Sequence, residues 1–332
     1  MHVDSCRAHV HEHGADGHGH ARGIRGLIGE VFSPHSHDAA DRFDDALSSS
    51  ASGIRAVKIS LVALIVTAAF QVAIVVISGS VALAADTIHN FSDALTAVPL
   101  WIAFSLGTRA ATRRYTYGYG RAEDLAGLFV IAMIALSALV AGYESVMRLV
   151  HPVAIGNLGW VAAAGLVGFV GNELVALYRI RVGRRIGSAA LVADGLHART
   201  DGFTSLAVVF GAAGVALGYP LADPVIGLII TVAILAVLRA AAREIFSRLM
   251  DGVDPTLVTT AEAALAAQPG VQAVHSIKLR WVGHRLHADV ELDIDPATSL
   301  QDAHRIAHEA EHELTHVVQK LDTALVHAYP RH

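Results

Sequence analysis

The sequence predicts an α-helical membrane bundle of six transmembrane helices followed by a small α+β domain, and three observations carry that prediction. The 332 residues are 53% hydrophobic and only 17% charged, too apolar for an ordinary water-soluble chain. Apolar stretches recur along the middle of the chain, and the first, Ile59 to Ser78, holds twenty residues without a charge. That is enough helix to cross a hydrocarbon core of about 30 Å. After Asp251 the composition changes abruptly to that of a soluble domain.

Each part follows in order. Residues 1–52 are polar, rich in Gly, Ser, Asp and His, with no apolar run of the length a secretory signal needs, so they are expected to form an uncleaved, disordered tail. The membrane domain is expected over 53–250, with spans at 59–78, 81–106, 124–145, 158–178, 189–217 and 223–243. Arginine sets the orientation. The connector after the second span carries Arg109, Arg113, Arg114 and Arg121, and that after the fourth carries Arg179, Arg181, Arg184 and Arg185. The opposite connectors hold Arg148 alone. Positive charge is retained on the cytoplasmic side, so both termini are expected there. Residues 251–332 are expected to fold as αββαβ: a helix from Pro255 to Ala267, strands at Val271–Val282 and Leu286–Asp293, an amphipathic helix over Leu300–Val318 and a strand at Thr323–Ala328. A domain this small gains from dimerisation.

Several functions are excluded early. A net charge of −5 leaves no basic surface for nucleic acid. The single cysteine, Cys6, forbids an internal disulfide and cysteine-based metal sites. No G-x-x-x-x-G-K-[ST] loop is present, so neither a nucleotide partner nor an ATP-driven pump is expected.

The 20 histidines cluster at the two ends of the chain, and His89 and His197 are the two within apolar segments. Each belongs to the same pattern. Span two reads Ala85-Asp86-Thr87-Ile88-His89-Asn90-Phe91-Ser92-Asp93, and span five reads Ala193-Asp194-Gly195-Leu196-His197-Ala198-Arg199-Thr200-Asp201. On a helix, positions i, i+3 and i+7 share a face, so each span carries an Asp-His-Asp stripe. Each aspartate at mid-membrane costs roughly 2.5–3.5 kcal/mol, and four together on the order of 10–14. A divalent cation held by His89, Asp93, His197 and Asp201 offsets that cost with a nitrogen and oxygen ligand set suited to Zn²⁺. Asp86 and Asp194 are expected beside this site, in supporting or entry positions. The plainer explanation is hydrogen bonding between helices, but the repetition of one spacing in two helices favours a cation.

At these residues the chain resembles the cation diffusion facilitator family. The likeness rests on the two H-x-x-x-D pairs, the Gly79-Ser-Val-Ala-Leu-Ala-Ala-Asp86 lead into span two, the Tyr115-Thr-Tyr-Gly-Tyr-Gly-Arg-Ala-Glu123 connector and the αββαβ tail. It covers about residues 53–330. The resemblance implies a homodimeric, lipid-embedded antiporter that exports Zn²⁺ or a similar ion from the cytoplasm in exchange for protons, by alternating access at the four-ligand site. It implies a metallochaperone- or ferredoxin-like tail. His89 in place of a second Asp favours Zn²⁺, with Co²⁺, Ni²⁺ or Cd²⁺ as further candidates. Arg121 matches a basic residue that pairs with an acid just after span six, here Asp251. The loop Gly107–Tyr119 has no histidine, so no metal is expected there. His275, Glu291, His304 and His327 fall where the family's cytoplasmic domain binds zinc, with departures at Glu291, where His is frequent, and at Tyr329, where an acid is found. A regulatory zinc there is therefore a weaker expectation. A metal-gated sensor or a passive channel of the same fold is the alternative.

The terminal helix holds His304, His308, His312 and His316, and contains His312-Glu313-Leu314-Thr315-His316, a literal H-E-x-x-H zinc-peptidase signature. Sixteen residues follow it, too few for a third ligand and a substrate cleft, so a solvated histidine stripe is expected and no enzyme. The histidine-rich N-terminal run is expected to bind metal weakly without an essential role. Glu173 reads as a carboxylate close enough to the cytoplasmic end of span four to reach water, Asp223 as the helix start of span six, and Glu123 and Asp124 as the helix start of span three. The absence of a targeting extension and the Ala- and Arg-rich composition point to a bacterial inner membrane.

Overall fold

The computed structural model describes residues 36–78, 97–151, 158–219 and 221–331. The chain divides into two compact units, Met1–Asp41 and Arg42–His332, and the described residues of the first are the opening turns of a helix. Among the described residues six helices come first: α1 (Ser36–Ser78), α2 (Ala97–Gly107), α3 (Arg121–Val150), α4 (Leu158–Ile186), α5 (Ala189–Ala216) and α6 (Ala222–Leu249). Ser48–Ile77 of α1 and the whole of α3, α4 and α6 are long and apolar enough to cross a membrane. Their exposed residues include Phe70, Leu139, Ile229 and Val232, side chains for which lipid is the good solvent. Helix α5 is as long but interrupted by Asp194, His197, Arg199 and Asp201. The first part of the expected second span, with Asp86, His89 and Asp93, lies outside the described residues.

Two expectations are corrected. Helix α1 begins at Ser36, inside the stretch expected to be a disordered tail; residues 36–52 contain Ala39, Ala40, Arg42, Ala46 and Leu47, good helix formers that let the helix extend beyond its apolar part. The arginines assigned to the connector after span four lie on α4, which continues to Ile186. Hydropathy marks where charge begins. The helix ends only at Gly187, whose φ of +81° glycine adopts without penalty. Ser188 then caps α5 by accepting from Leu191 N at 3.0 Å.

Helices α4 and α5 approach most closely because glycine lines their seam. A Cβ on Gly165 would lie 2.9 Å from Ser205 O, one on Gly183 2.8 Å from Val192 Cγ2, and one on Gly195 2.8 Å from Ile180 Cγ1. Small residues that admit the neighbouring backbone are the usual basis of helix association in lipid. On the other flank of α5, Val130, Ile134, Ala193, Ile234 and Ile245 join α3, α5 and α6 in one buried cluster.

The C-terminal domain has the expected αββαβ order: α7 (Pro255–Ala266), β1 (Val271–Val282), β2 (Arg285–Ile294), α8 (Leu300–Val317) and β3 (Leu321–Pro330). Strands β1 and β2 form an antiparallel hairpin, whereas β3 pairs parallel to β2, which requires α8 as a crossover. Leu265, Leu286, Leu292 and Leu314, all fully buried, centre the core between the sheet and the two helices. Asp254 caps α7, and the Thr256 N–H it accepts holds its carboxyl below the usual carboxylate range.

The hairpin tip docks on the bundle. His284 Nδ1 donates to Glu123 Oε2 at 2.8 Å, and its Nε2 lies 3.4 Å from Ser50 Oγ. Arg248 donates from Nη1 to Gly187 O at 2.8 Å and Gly283 O at 3.4 Å, with its guanidinium 4.5 Å over the Trp281 ring. Arg121 and Asp251, expected to pair, do so at 2.7 Å. Glu123 and Asp124 are therefore more than helix-start charges: both are buried at this junction, where burial and the neighbouring Glu123 carboxylate surround Asp124.

Two outcomes are expected. Gly283→Ala forces a side chain into a backbone with φ +63° and brings its Cβ to 2.7 Å from Gly120 O, so the hairpin should lift. Limited proteolysis should then cut the 251–254 linker faster while the released domain stays protease-resistant. The exposed Arg121–Asp251 pair should give a coupling of about 1 kcal/mol or less in a double-mutant cycle read by thermal unfolding in detergent.

Candidate functional site

Helix α5 carries four charged or titratable side chains within two turns, and burial sorts them by face. Asp194, His197 and Asp201 are 0%, 1% and 6% exposed, so the predicted i, i+3, i+7 stripe points into the bundle. Arg199 lies on a different face and makes a bidentate pair with Glu173 of α4, 2.7 Å from Nη2 to Oε1 and 3.1 Å from Nε to Oε2. Glu173, read as a charge reaching water, thus has a helix partner instead.

His197 Nδ1 lies 3.6 Å from Asp201 Oδ1, near enough for one ion to touch both. Helix geometry sets this spacing, since residues four apart are stacked one turn above the other. Thr200 and Thr204 donate their hydroxyls to His197 O and Asp201 O, each at 2.7 Å, which satisfies polar groups inside the stripe without competing for its side chains. Asn172 of α4 is buried beside the same stretch, its Cβ 3.5 Å from where a Cβ on Gly202 would lie.

One turn nearer the α+β domain, Asp194 meets Arg179 of α4, with 2.9 Å between Oδ2 and Nη1 and side chains 0% and 2% exposed. Asp194 stands one turn from His197, and its partner Arg179, expected in a connector, is on α4. Arg179 belongs to a run of basic residues, and a run conceals the one member that turns inward.

Towards the opposite end, Asp201 borders a cavity of about 290 Å³ between α3, α5 and α6. Its polar lining includes Ser137, Glu144, Ser145 and Thr204, and ends at the Arg148–Asp223 pair, 3.0 Å apart. Asp223, read as a helix start, therefore also holds the distal ends of α3 and α6 together.

The other candidates are placed as follows. Asp86, His89 and Asp93 lie outside the described residues. In the C-terminal domain, Glu291 and His327 are register partners on β2 and β3, and His275 Nδ1 lies 3.7 Å from Asp293 Oδ1. His304 is on α8, on the helical side of the sheet, stacked with His308 at 6.4 Å, and is not brought to the other three. Among the described residues no three His, Cys, Asp or Glu side chains are gathered to hold an ion. His312 and His316 of the H-E-x-x-H run turn on each other, 3.1 Å between Nε2 atoms, at an exposed surface.

Comparison with known proteins decides the family. Residues 57–250 match the model of the cation efflux transmembrane domain, and residues 253–331 that of the cation efflux protein cytoplasmic domain. A "Probable cation efflux system protein" of Mycobacterium tuberculosis is 72% identical over 313 residues, 94% of each chain. The chain belongs to the cation diffusion facilitator family. The manganese efflux system protein MneS of Bacillus subtilis is a more distant relative, 24% identical over 87% of this chain and 98% of its own. A nickel form of the MamM CTD is 22% identical, covering 24% of this chain and all of that one, with a TM-score of 0.23. This facilitator is an integral membrane protein of a transporter family, and the α+β unit is its cytoplasmic-domain homologue.

In this facilitator Gly195→Val should push α5 off α4, because a Cβ there already meets Ile180 N and Arg179 Cβ at 3.0 Å. The expected result is a lower Tm in detergent together with weaker divalent-cation binding by calorimetry, whereas Gly107→Val, with nothing within 4 Å, should leave both unchanged.

Proposed function

We propose that this facilitator is a divalent cation/proton antiporter that exports Zn²⁺ from the cytoplasm, with His89, Asp93, His197 and Asp201 as the transport ligands. The observation that carries the reading is the buried His197–Asp201 couple, 3.6 Å apart on one face of α5, beside a cavity that leads towards the distal end of the bundle. The sequence repeats the same couple in span two, so two imidazoles and two carboxylates are available for four-coordination, the preference of Zn²⁺.

Exchange follows from ligand chemistry. An imidazole binds metal through a lone pair, and a proton arriving at the same nitrogen removes that lone pair and displaces the ion. Metal and proton compete for one site, and a bundle that opens alternately to either side converts the competition into antiport. Imidazole in both pairs favours Zn²⁺ over the Mn²⁺ named for MneS, with Co²⁺, Ni²⁺ and Cd²⁺ as secondary substrates. The protein works as a homodimer through its α+β domain, with both termini cytoplasmic in a bacterial inner membrane, and Asp251 and Arg121 tie that domain to the bundle.

The test is zinc uptake by everted vesicles followed with an internal dye. Uptake should release protons, should stop when a protonophore collapses an imposed pH gradient, and should fall to background in Asp201→Asn with the dimer retained. Uptake that persists through either change rejects the antiporter reading; downhill flux indifferent to pH would make the protein a channel instead.

A further inference from the structure

Arg179 and Asp194 form the most enclosed ion pair among the described residues, yet a poorly satisfied one. Although Nη1 lies 2.9 Å from Oδ2, Nε and Nη2 of Arg179 and both carboxylate oxygens of Asp194 are buried without an aligned hydrogen bond. Buried charges are ordinarily retained where further hydrogen bonds complete them, and a buried pair does not by itself stabilise a fold. Glu173 and Arg199 show the alternative on the same two helices: a bidentate, aligned fork. The incomplete pair therefore needs a reason other than holding α4 to α5, which the glycine seam already does.

Position supplies the reason. Asp194 stands one turn from His197, on the side of the α+β domain, and about 10 Å from Asp201 along the axis of α5. Asp201 borders the cavity that leads the other way. Asp194 Oδ1 accepts no hydrogen bond, so it keeps lone pairs for a second cation. The guanidinium that now faces Asp194 sits on a flexible stem two turns from the end of α4, able to withdraw its charge towards that end. A dication and a guanidinium cannot share one buried carboxylate, because like charges repel strongly where water is excluded.

Building on the transport reading, we propose that Arg179 is a tethered counter-cation: it occupies Asp194 while the transport site is empty and yields it to the divalent ion arriving from the α+β-domain side. Asp194 is then a hand-off ligand that passes the ion one turn along α5 to His197 and Asp201. Arg179 is a positioning residue that never touches the ion. It keeps Asp194 aimed inward between cycles, and closes that side of the site behind the ion.

The experiment measures zinc uptake in everted vesicles, with KM and kcat resolved, on the full-length dimer and its variants. Arg179→Gln leaves Asp194 needing a cation, so KM should fall about tenfold or more while kcat falls because release is slowed. Arg179→Gln with Asp194→Asn removes both charges together, which buried pairs tolerate better than the loss of one partner; KM should rise about tenfold or more with the dimer intact. Arg179→Lys should keep KM near that of the parent. A double variant with the parent's KM, or an Arg179→Gln variant that loses folded protein without a KM change while the double variant transports normally, overturns the inference and leaves the antiporter standing. If Arg179→Gln does not fold, the double variant alone decides. Absence of proton-coupled uptake by the parent protein overturns the antiporter reading, and this inference with it.

Discussion

The close contact of α4 with α5 is the constraint on which the rest of the bundle depends. In lipid there is no hydrophobic gain from bringing two apolar helices together, so contact rests on fit and on polar pairs. Gly165, Gly168, Gly183 and Gly195 remove the side chains that would hold the two backbones apart. That proximity lets Arg179 reach Asp194 and Glu173 reach Arg199. It also keeps His197 and Asp201 away from the lipid, where their desolvation would be uncompensated.

A second junction ties this packing to the cytoplasmic-domain homologue. The ends of α3, α4 and α6 converge on the β1–β2 hairpin and the turn before β3: Glu123 meets His284, Arg248 bridges Gly187 O and Gly283 O, and Lys320 reaches Arg184 O at 3.3 Å. Gly187, between α4 and α5, is thus held by Arg248 of α6 and lies against Lys320 of the domain. A shift of the hairpin would be felt at the start of α5, within two turns of Asp194. The two domains thus have a direct mechanical route between them through packed backbone.

The charges inside the bundle are accounted for by local pairing more than by the field of the whole molecule. Arg148 with Asp223 fixes the distal end, Glu173 with Arg199 the middle, and Arg179 with Asp194 the approach to the stripe. What separates the last from the others is completeness of hydrogen bonding. In a low-dielectric interior an incomplete pair carries the larger uncompensated desolvation cost.

The sequence by itself determined the helical class, the αββαβ order and the shared helix face of Asp194, His197 and Asp201. These follow from periodicity: a run without charge must be helical in lipid, alternation makes strands, and residues three, four and seven apart share a face. It also disclosed the Arg121–Asp251 pair, through family resemblance. Tertiary structure alone decided which charged residues turn inward. Arg179, Arg181, Arg184 and Arg185 are equivalent as letters, and only the angle of α4 against α5 buries the first of them. Glu123 and Asp124 likewise read as an ordinary helix start until a hairpin tip, far away in sequence, lands on them. Burial is a property of what packs against a residue, and no local pattern records it.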